Sequence, residues 1–203
     1  MIKVAAAVPG DEDAIATLCE ELDEFYGQPT AGTAQQRADR VRAAFFTEPP
    51  LARAMLAWDG PVLAGLASYS FLWPAAGLST SLYLKELYVA AAFRRSGTGR
   101  LLMNSLFEVA AEKGCSRVEW TTDTRNTNAQ AFYESLGATP LPTKIFYRAP
   151  VGGPFSVLPP GYRPKRPTTE RMRKRNSSMP SSLAQMAYRI SAPAPPTTVL
   201  TTP

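Results

Sequence analysis

Apolar and polar positions along the chain switch between two periods. Ile2 to Val8 is a short, mostly apolar run closed by Pro9-Gly10 and reads as a strand. Asp11, Glu12 and Asp13 suit the cap and first turn of a helix, and Ile15, Leu18, Leu22, Phe25 and Tyr26 then recur at helical spacing as far as Gly27-Gln28-Pro29. A second helix is predicted from about Thr33, a good N-cap residue, to Phe46, with Ala38, Val41 and Phe45 on one face and Pro49-Pro50 as its stop. Leu51 to Trp58 and Val62 to Trp73 read as two strands joined at Asp59-Gly60-Pro61, and Gly65 inside the second marks a bulge or a close contact. Beyond a loop from Pro74 to Ser79, Leu82 to Val89 is a further strand. Its alternation is blurred, as expected for a strand covered on both faces. Thr98 to Lys113 forms the main helix, striped by Leu102, Leu106, Val109 and Ala110, widened by Met103 and Phe107, and ended by Gly114. A strand from Arg117 to Thr122, a polar turn, a short helix from Thr127 to Leu136 and a last strand from Leu141 to Arg148 complete the order. The class is α/β, with a mixed, mostly antiparallel sheet flanked by helices.

Composition changes this picture mainly at the C-terminal end. The chain has 203 residues and a net charge of +5. Residues 1–149 hold 14 Lys and Arg against 16 Asp and Glu, a net −2, whereas residues 150–203 hold 8 against one, Glu170. The basic character therefore belongs to the tail, which also carries ten prolines between Val151 and Pro203 and no sustained period. The expectation is a domain over 1–149 and a Pro-rich, basic, disordered tail over 150–203, with a short helix conceivable only at Ser182 to Ile190. Seven of the tail's basic residues lie between Arg163 and Arg175. Aromatic interleaving there is poor, so nucleic-acid binding through the tail is a weak reading. No run approaches the length of a membrane span. The isolated cysteines Cys19 and Cys115 fit buried thiols in a reducing cytoplasm. The absence of histidine excludes Ser-His-Asp and Cys-His mechanisms and a His-bearing zinc site, and no metal site is expected.

The candidate chemistry lies between Tyr83 and Gly137. The strand ending at Leu87-Tyr88-Val89 runs into Arg94-Arg95-Ser96-Gly97-Thr98-Gly99-Arg100, which opens the main helix. Two glycines allow close approach to the backbone, the first N–H groups of a helix lack intrahelical partners, and the arginines add positive charge. Phosphate suits such a site. The pattern Arg94-x-x-Gly97-x-Gly99 resembles the pyrophosphate-binding motif of the GNAT acetyltransferase superfamily. The flanks agree: Tyr83-Leu84-Lys85-Glu86-Leu87-Tyr88-Val89 is similar to that family's central strand. The segment from Asn126 through Ala129 and Tyr133 to Gly137 resembles its Asn-x-x-Ala-x-x-x-Tyr-x-x-x-Gly element. Within the superfamily the likeness is greatest to the diamine acetyltransferase-like branch.

The resemblance implies a GNAT fold over about residues 2–149 and direct transfer of an acetyl group from acetyl-CoA, as co-substrate, to a primary amine of a small molecule. A protein or peptide N-acetyltransferase, or a non-catalytic acyl-CoA-binding module, are the alternatives. It implies that Leu87, Tyr88 and Val89 pair with the pantetheine arm. Arg94, Arg95, Ser96, Gly97, Thr98, Gly99 and Arg100 would surround the pyrophosphate, and Asn126, Asn128 and Ala131 would line the cofactor. Tyr133 is implied as general acid toward the departing thiolate. Glu86 is a candidate base, because an alkylamine with pKa ~10 must lose a proton before it attacks. A salt bridge with Lys85 or Arg148 is its other reading. The branch carries an acidic pair at this strand end, but here the first member is Lys85, which places polyamine acceptors in doubt. Glu24, Phe25 and Tyr26, at the acidic end of the first helix, are candidates to line an acceptor site together with Lys85. A homodimer is left open.

Overall fold

The computed structural model describes residues 1–149. Its compact unit is Met1–Ala138. Five strands lie in sequence order, β1 (Lys3–Ala6), β2 (Arg53–Asp59), β3 (Val62–Leu72), β4 (Thr80–Val89) and β5 (Cys115–Glu119). The first four pair antiparallel, and β4 and β5 are parallel. Helices α1 (Glu12–Phe25) and α2 (Ala34–Phe45) fall between β1 and β2, α3 (Thr98–Glu112) joins β4 to β5, and α4 (Thr127–Glu134) follows β5.

Each face of the sheet has its own apolar layer. On one side Leu82, Leu84, Ala67 and Tyr69 meet Leu102, Met103, Leu106 and Ala110 of α3, with Phe132, Tyr133 and Leu136 at the margin. On the other, Leu56, Leu66 and Tyr88 meet Ile15 and Leu18 of α1, with Val41 and Phe45 of α2 beside them. The stripe expected on the main helix is the one that is buried. Thr33 caps α2 as the sequence predicts: its side chain accepts from the Gln36 N–H, and the Gln36 side chain accepts from the Thr33 N–H.

Strand β4 is covered on both faces, as its blurred alternation predicts, and it also carries a bulge. Ser68 pairs with Glu86 but Tyr69 pairs with Leu84, so Lys85 is the extra residue. Before it, Leu82 and Leu84 face α3; after it, Leu87 and Val89 do, and Tyr88 and Ala90 face α1. A second register shift, between Ala57 and Trp58, leaves Ala64 unpaired in β3 beside Gly65. A Cβ on Gly65 would lie 2.9 Å from the Tyr88 carbonyl oxygen, so glycine here permits close strand packing.

The last expected strand does not form. Residues 139–149 contain neither helix nor strand. Pro140 and Pro142 remove ladder donors from this segment, and Leu141, Ile145, Phe146 and Tyr147 are exposed, so no burial favours an extended pairing there. The tail readings, including the basic stretch and the short helix, fall on residues 150–203, outside those described.

Candidate active site

The site forms where β4 outruns β5. The two strands pair only from Thr80–Cys115 to Tyr83–Glu119. Above Tyr83, β4 continues to Val89 with β3 on one side and no strand on the other among the described residues. Successive residues of a strand turn their backbone groups to opposite edges. The Ala90 N–H donates to the Ala64 carbonyl and the Tyr88 carbonyl lies against Gly65, so both face β3. Leu87 and Val89 therefore present N–H and C=O to the open edge. Of the three residues expected to pair with a pantetheine arm, Tyr88 has its backbone turned away from that edge.

The loop after β4 begins with a single 3-10 turn, Ala91–Phe93. Arg95 (φ 66°) and Gly97 (φ 88°) take left-handed conformations, and Gly97 is the N-cap of α3. The first helical bond runs from the Leu101 N–H to the Gly97 carbonyl, which leaves the N–H groups of Thr98, Gly99 and Arg100 without intrahelical acceptors. The side chains of this loop are mostly spent on the protein itself. Ser96 Oγ donates to the Phe93 carbonyl at 2.6 Å and lies 2.9 Å from Thr98 Oγ1, and Thr98 is buried. Arg100 donates to Ser135 at 3.1 Å, tying α3 to α4. Arg94 donates from Nε to the Val89 carbonyl at 3.0 Å. The missing Cβ of Gly99 makes room for the Phe132 ring, which a Cβ would meet at 3.3 Å. A diphosphate at this loop would be held chiefly by backbone N–H groups and the exposed Arg95.

Across the open edge stands α4. Asn126 Oδ1 accepts the Ala129 N–H at 3.0 Å and so caps the helix. Asn128 and Ala131 are exposed on it. The Tyr133 ring packs 5.0 Å from Trp120 and 5.3 Å from Phe132. Burial, then the nearby charges of Glu86 and Tyr26, push the Tyr133 phenol up to about 12. Glu86 follows the bulge, on the same side of β4 as Tyr88. Burial raises its carboxyl above the ordinary value, and Lys85 opposes this only through its field. The Tyr26 phenol is likewise raised by burial, then by Glu86 and Asp123. Glu86, Tyr133 and Tyr26, from three separated stretches, thus lie within range of one another's charge.

Other expected residues lie elsewhere. Lys85 is exposed at the bulge, and Glu24 is exposed at the end of α1. Phe25 packs at 5.3 Å from Tyr26, but the Arg94 guanidinium already lies 4.7 Å from its ring centroid. Three residues that the sequence reading does not single out belong to the site: Trp120, against Tyr133; Asp123, whose carboxyl Arg125 holds down at about 2; and Glu21. An aromatic at the end of β5, facing the Tyr133 helix, is the signal that was available for Trp120.

Residues 15–138 match the model of the acetyltransferase (GNAT) family. The chain belongs to that family. It is 27% identical over 148 residues to the thialysine N-epsilon-acetyltransferase of Bos taurus, covering 69% of this chain and 85% of the relative. Over 77 residues it is 32% identical to the L-ornithine N5-acetyltransferase NATA1 of Arabidopsis thaliana, covering 38% of this chain and 34% of that one. Among solved structures, an integron cassette protein from the mobile metagenome of V. cholerae superposes with a TM-score of 0.68 at 28% identity, covering 73% of this chain and 92% of the other. The five-stranded mixed sheet with flanking helices is the GNAT fold that the resemblance implies. Among the described residues no helix is long and apolar enough to cross a membrane, and no group of three or more His, Cys, Asp or Glu could hold a metal ion.

Proposed function

We propose that this GNAT protein transfers the acetyl group of acetyl-CoA directly to a primary amine of a small molecule. The observation that carries this reading is the open edge of β4 running into the free N–H groups that start α3, with Glu86 of the bulged half of β4 and Tyr133 of α4 close enough for charge on one to act on the other. Glu86 accepts the proton that the ammonium form of the acceptor must lose, so that the amine nitrogen can form its bond to the thioester carbonyl carbon. An outward N–H of Leu87 or Val89 stabilises the oxyanion that develops; loss of one such donor typically costs ~10²–10³ in rate. The carbon–sulfur bond then breaks, Tyr133, a neutral phenol at physiological pH, donates its proton to the departing thiolate, and the second proton shed by the amide nitrogen restores the phenol through solvent. Thr98, Gly99 and Arg100 offer N–H groups to the diphosphate, and Arg95 adds charge. Neither cysteine serves as a nucleophile: burial, with the charges of Asp23 and Glu86, pushes the Cys19 thiol up to about 11.

Relatives named for thialysine, ornithine and aminoglycosides support a small amine rather than a protein as acceptor. Tyr26, beside Glu86 and Tyr133, contacts the acceptor, and the negative field of Glu86 and Asp123 favours a cationic one. We place the protein in the cytoplasm, where free Cys19 and Cys115 stay reduced. The test is thiol release from acetyl-CoA across a panel of diamines, basic amino acids, polyamines and aminoglycosides. Turnover of at least one class is expected. Absence of acetyl-CoA binding by calorimetry would overturn the reading, and binding without turnover of any amine would leave an acyl-CoA-binding module.

A further inference from the structure

Glu21 lies on α1, far in sequence from the loop that opens α3, yet it is bonded to the root of that loop. Its Oε1 accepts the Ala91 N–H at 2.9 Å and the Tyr88 O–H at 3.0 Å. The Tyr88 oxygen in turn accepts from Arg94 at 3.1 Å. Arg94 donates its Nε–H to the Val89 carbonyl, which faces the open edge of β4. The same guanidinium lies over the rings of Phe25 and Tyr88, at 4.7 Å and 5.4 Å from their centroids. A continuous set of contacts therefore runs from α1, across the end of β4, into the loop, and back to the end of α1 beside Tyr26. The proposed reaction does not use Glu21, and nothing in the local sequence distinguishes it from the other acids of Glu20-Glu21-Leu22-Asp23-Glu24.

We propose that Glu21 is a positioning residue: by holding Tyr88, Ala91 and, through Tyr88, Arg94, it fixes the loop from Ala91 to Gly97 and the outward carbonyl of Val89 in the arrangement that receives the diphosphate and adjoining arm of acetyl-CoA. The inference rests on the function proposed above. Tyr88 is only 6% exposed, and without the Glu21 side chain its hydroxyl proton keeps just the longer 3.5 Å contact to the Glu21 backbone carbonyl. Burial and the Glu21 carboxylate also push the Tyr88 phenol up, which keeps it a donor. The geometry requires a side-chain oxygen at this point of α1 rather than a negative charge as such. Gln supplies that oxygen to both donors, whereas Ala leaves the Ala91 N–H without it and the Tyr88 O–H with only the backbone carbonyl.

Calorimetric titration of the full chain with CoA, accompanied by thermal denaturation, tests this. Glu21→Ala should weaken CoA binding about tenfold, Glu21→Gln should stay within about threefold of the parent, and Tyr88→Phe should fall between them. In turnover, Glu21→Ala should raise the KM for acetyl-CoA while kcat changes by less than about threefold. Parent affinity in folded Glu21→Ala would overturn the inference, as would a Glu21→Gln variant as weak as the alanine one. A merely structural role would lower the melting temperature and leave CoA affinity unchanged. Should Glu21→Ala not fold, Tyr88→Phe decides the matter, and unchanged affinity there overturns the inference. No binding of CoA by the parent would sink the proposed function itself, an outcome distinct from a failure of Glu21 alone.

Discussion

Replacing Glu86 with Gln removes a proton acceptor and changes the shape of the side chain little. Glu86 is half-buried and paired across the sheet with Ser68. If it is the base, kcat at saturating amine should fall by ~10²–10⁴, equivalent to roughly 3–5 kcal/mol of barrier. The pH profile separates this from a packing effect. Burial raises the Glu86 carboxyl above its ordinary value of 4.5, so the acid limb of kcat in the parent should lie above that value. Below the limb the parent loses about tenfold per pH unit, and the variant, with nothing there to titrate, does not. The ratio of parent to variant should therefore shrink as pH falls. Stability moves the other way. Because the folded-state pKa is raised, the folded chain keeps a proton in a window where the unfolded chain has released it, and stability falls as pH rises through that window. The Gln variant escapes this penalty. It should melt at or above the parent's temperature at pH 7, with the difference closing below about pH 4. Thiol-release kinetics between pH 4.5 and 8 and matched thermal scans measure both. A variant that keeps the parent's kcat, or keeps its acid limb, would refute the assignment of Glu86 as base.

Tyr133→Phe should lower kcat by about ten- to a thousandfold with little change in the KM for acetyl-CoA. Because the phenol is pushed up to about 12, the parent should show no alkaline limb from this group at pH 9; unchanged steady-state kinetics in the variant would remove Tyr133 from the mechanism. Gly65→Ala places a Cβ 2.9 Å from the Tyr88 carbonyl oxygen and 3.1 Å from Leu102 Cδ1. Overpacking of this kind costs about 1–3 kcal/mol, roughly 3–10 °C in melting temperature for a domain of this size. A thermal scan that matches the parent's would show that the two strands have slack.

The elements legible in the sequence are those fixed by local chemistry. Thr33, the Pro-Gly turn at residues 9–10, Gly97 and the α3 stripe act within a turn or two of themselves, and helices and strands fell close to where pattern placed them. The loop geometry from Arg94 to Gly99 was legible for the same reason, being a strand, a turn and a helix start in one short run. The bulge at Lys85 was not, because the registers of Ser68 and Tyr69 are set by the neighbouring strand. Nor was the fate of the acidic run on α1. Consecutive helical residues point about 100° apart, so Glu20 pairs with Arg37 at 2.7 Å, Glu21 with Tyr88, and Glu24 faces solvent. Arg94 illustrates the limit of motif reasoning. The pattern marks the loop, but the side chain is engaged by Val89, Tyr88 and Phe25. The segment Leu141 to Arg148 has the apolar content of a strand, but nothing covers it among the described residues, and cover is not encoded in the segment itself.

The bulge at Lys85 gives β4 two reading frames. The positions that pack on α3 are Leu82 and Leu84 before it and Leu87 and Val89 after it, a change of parity on that face of the strand. The same arithmetic governs deletions. Losing Tyr83 would turn the following half of the strand over, sending leucines toward α1 and Tyr88 toward α3. Losing Lys85 restores plain alternation and leaves Glu86, Tyr88 and every apolar side chain on its present face. Lys85 is thus the position in this strand where length can vary without exchanging the two faces.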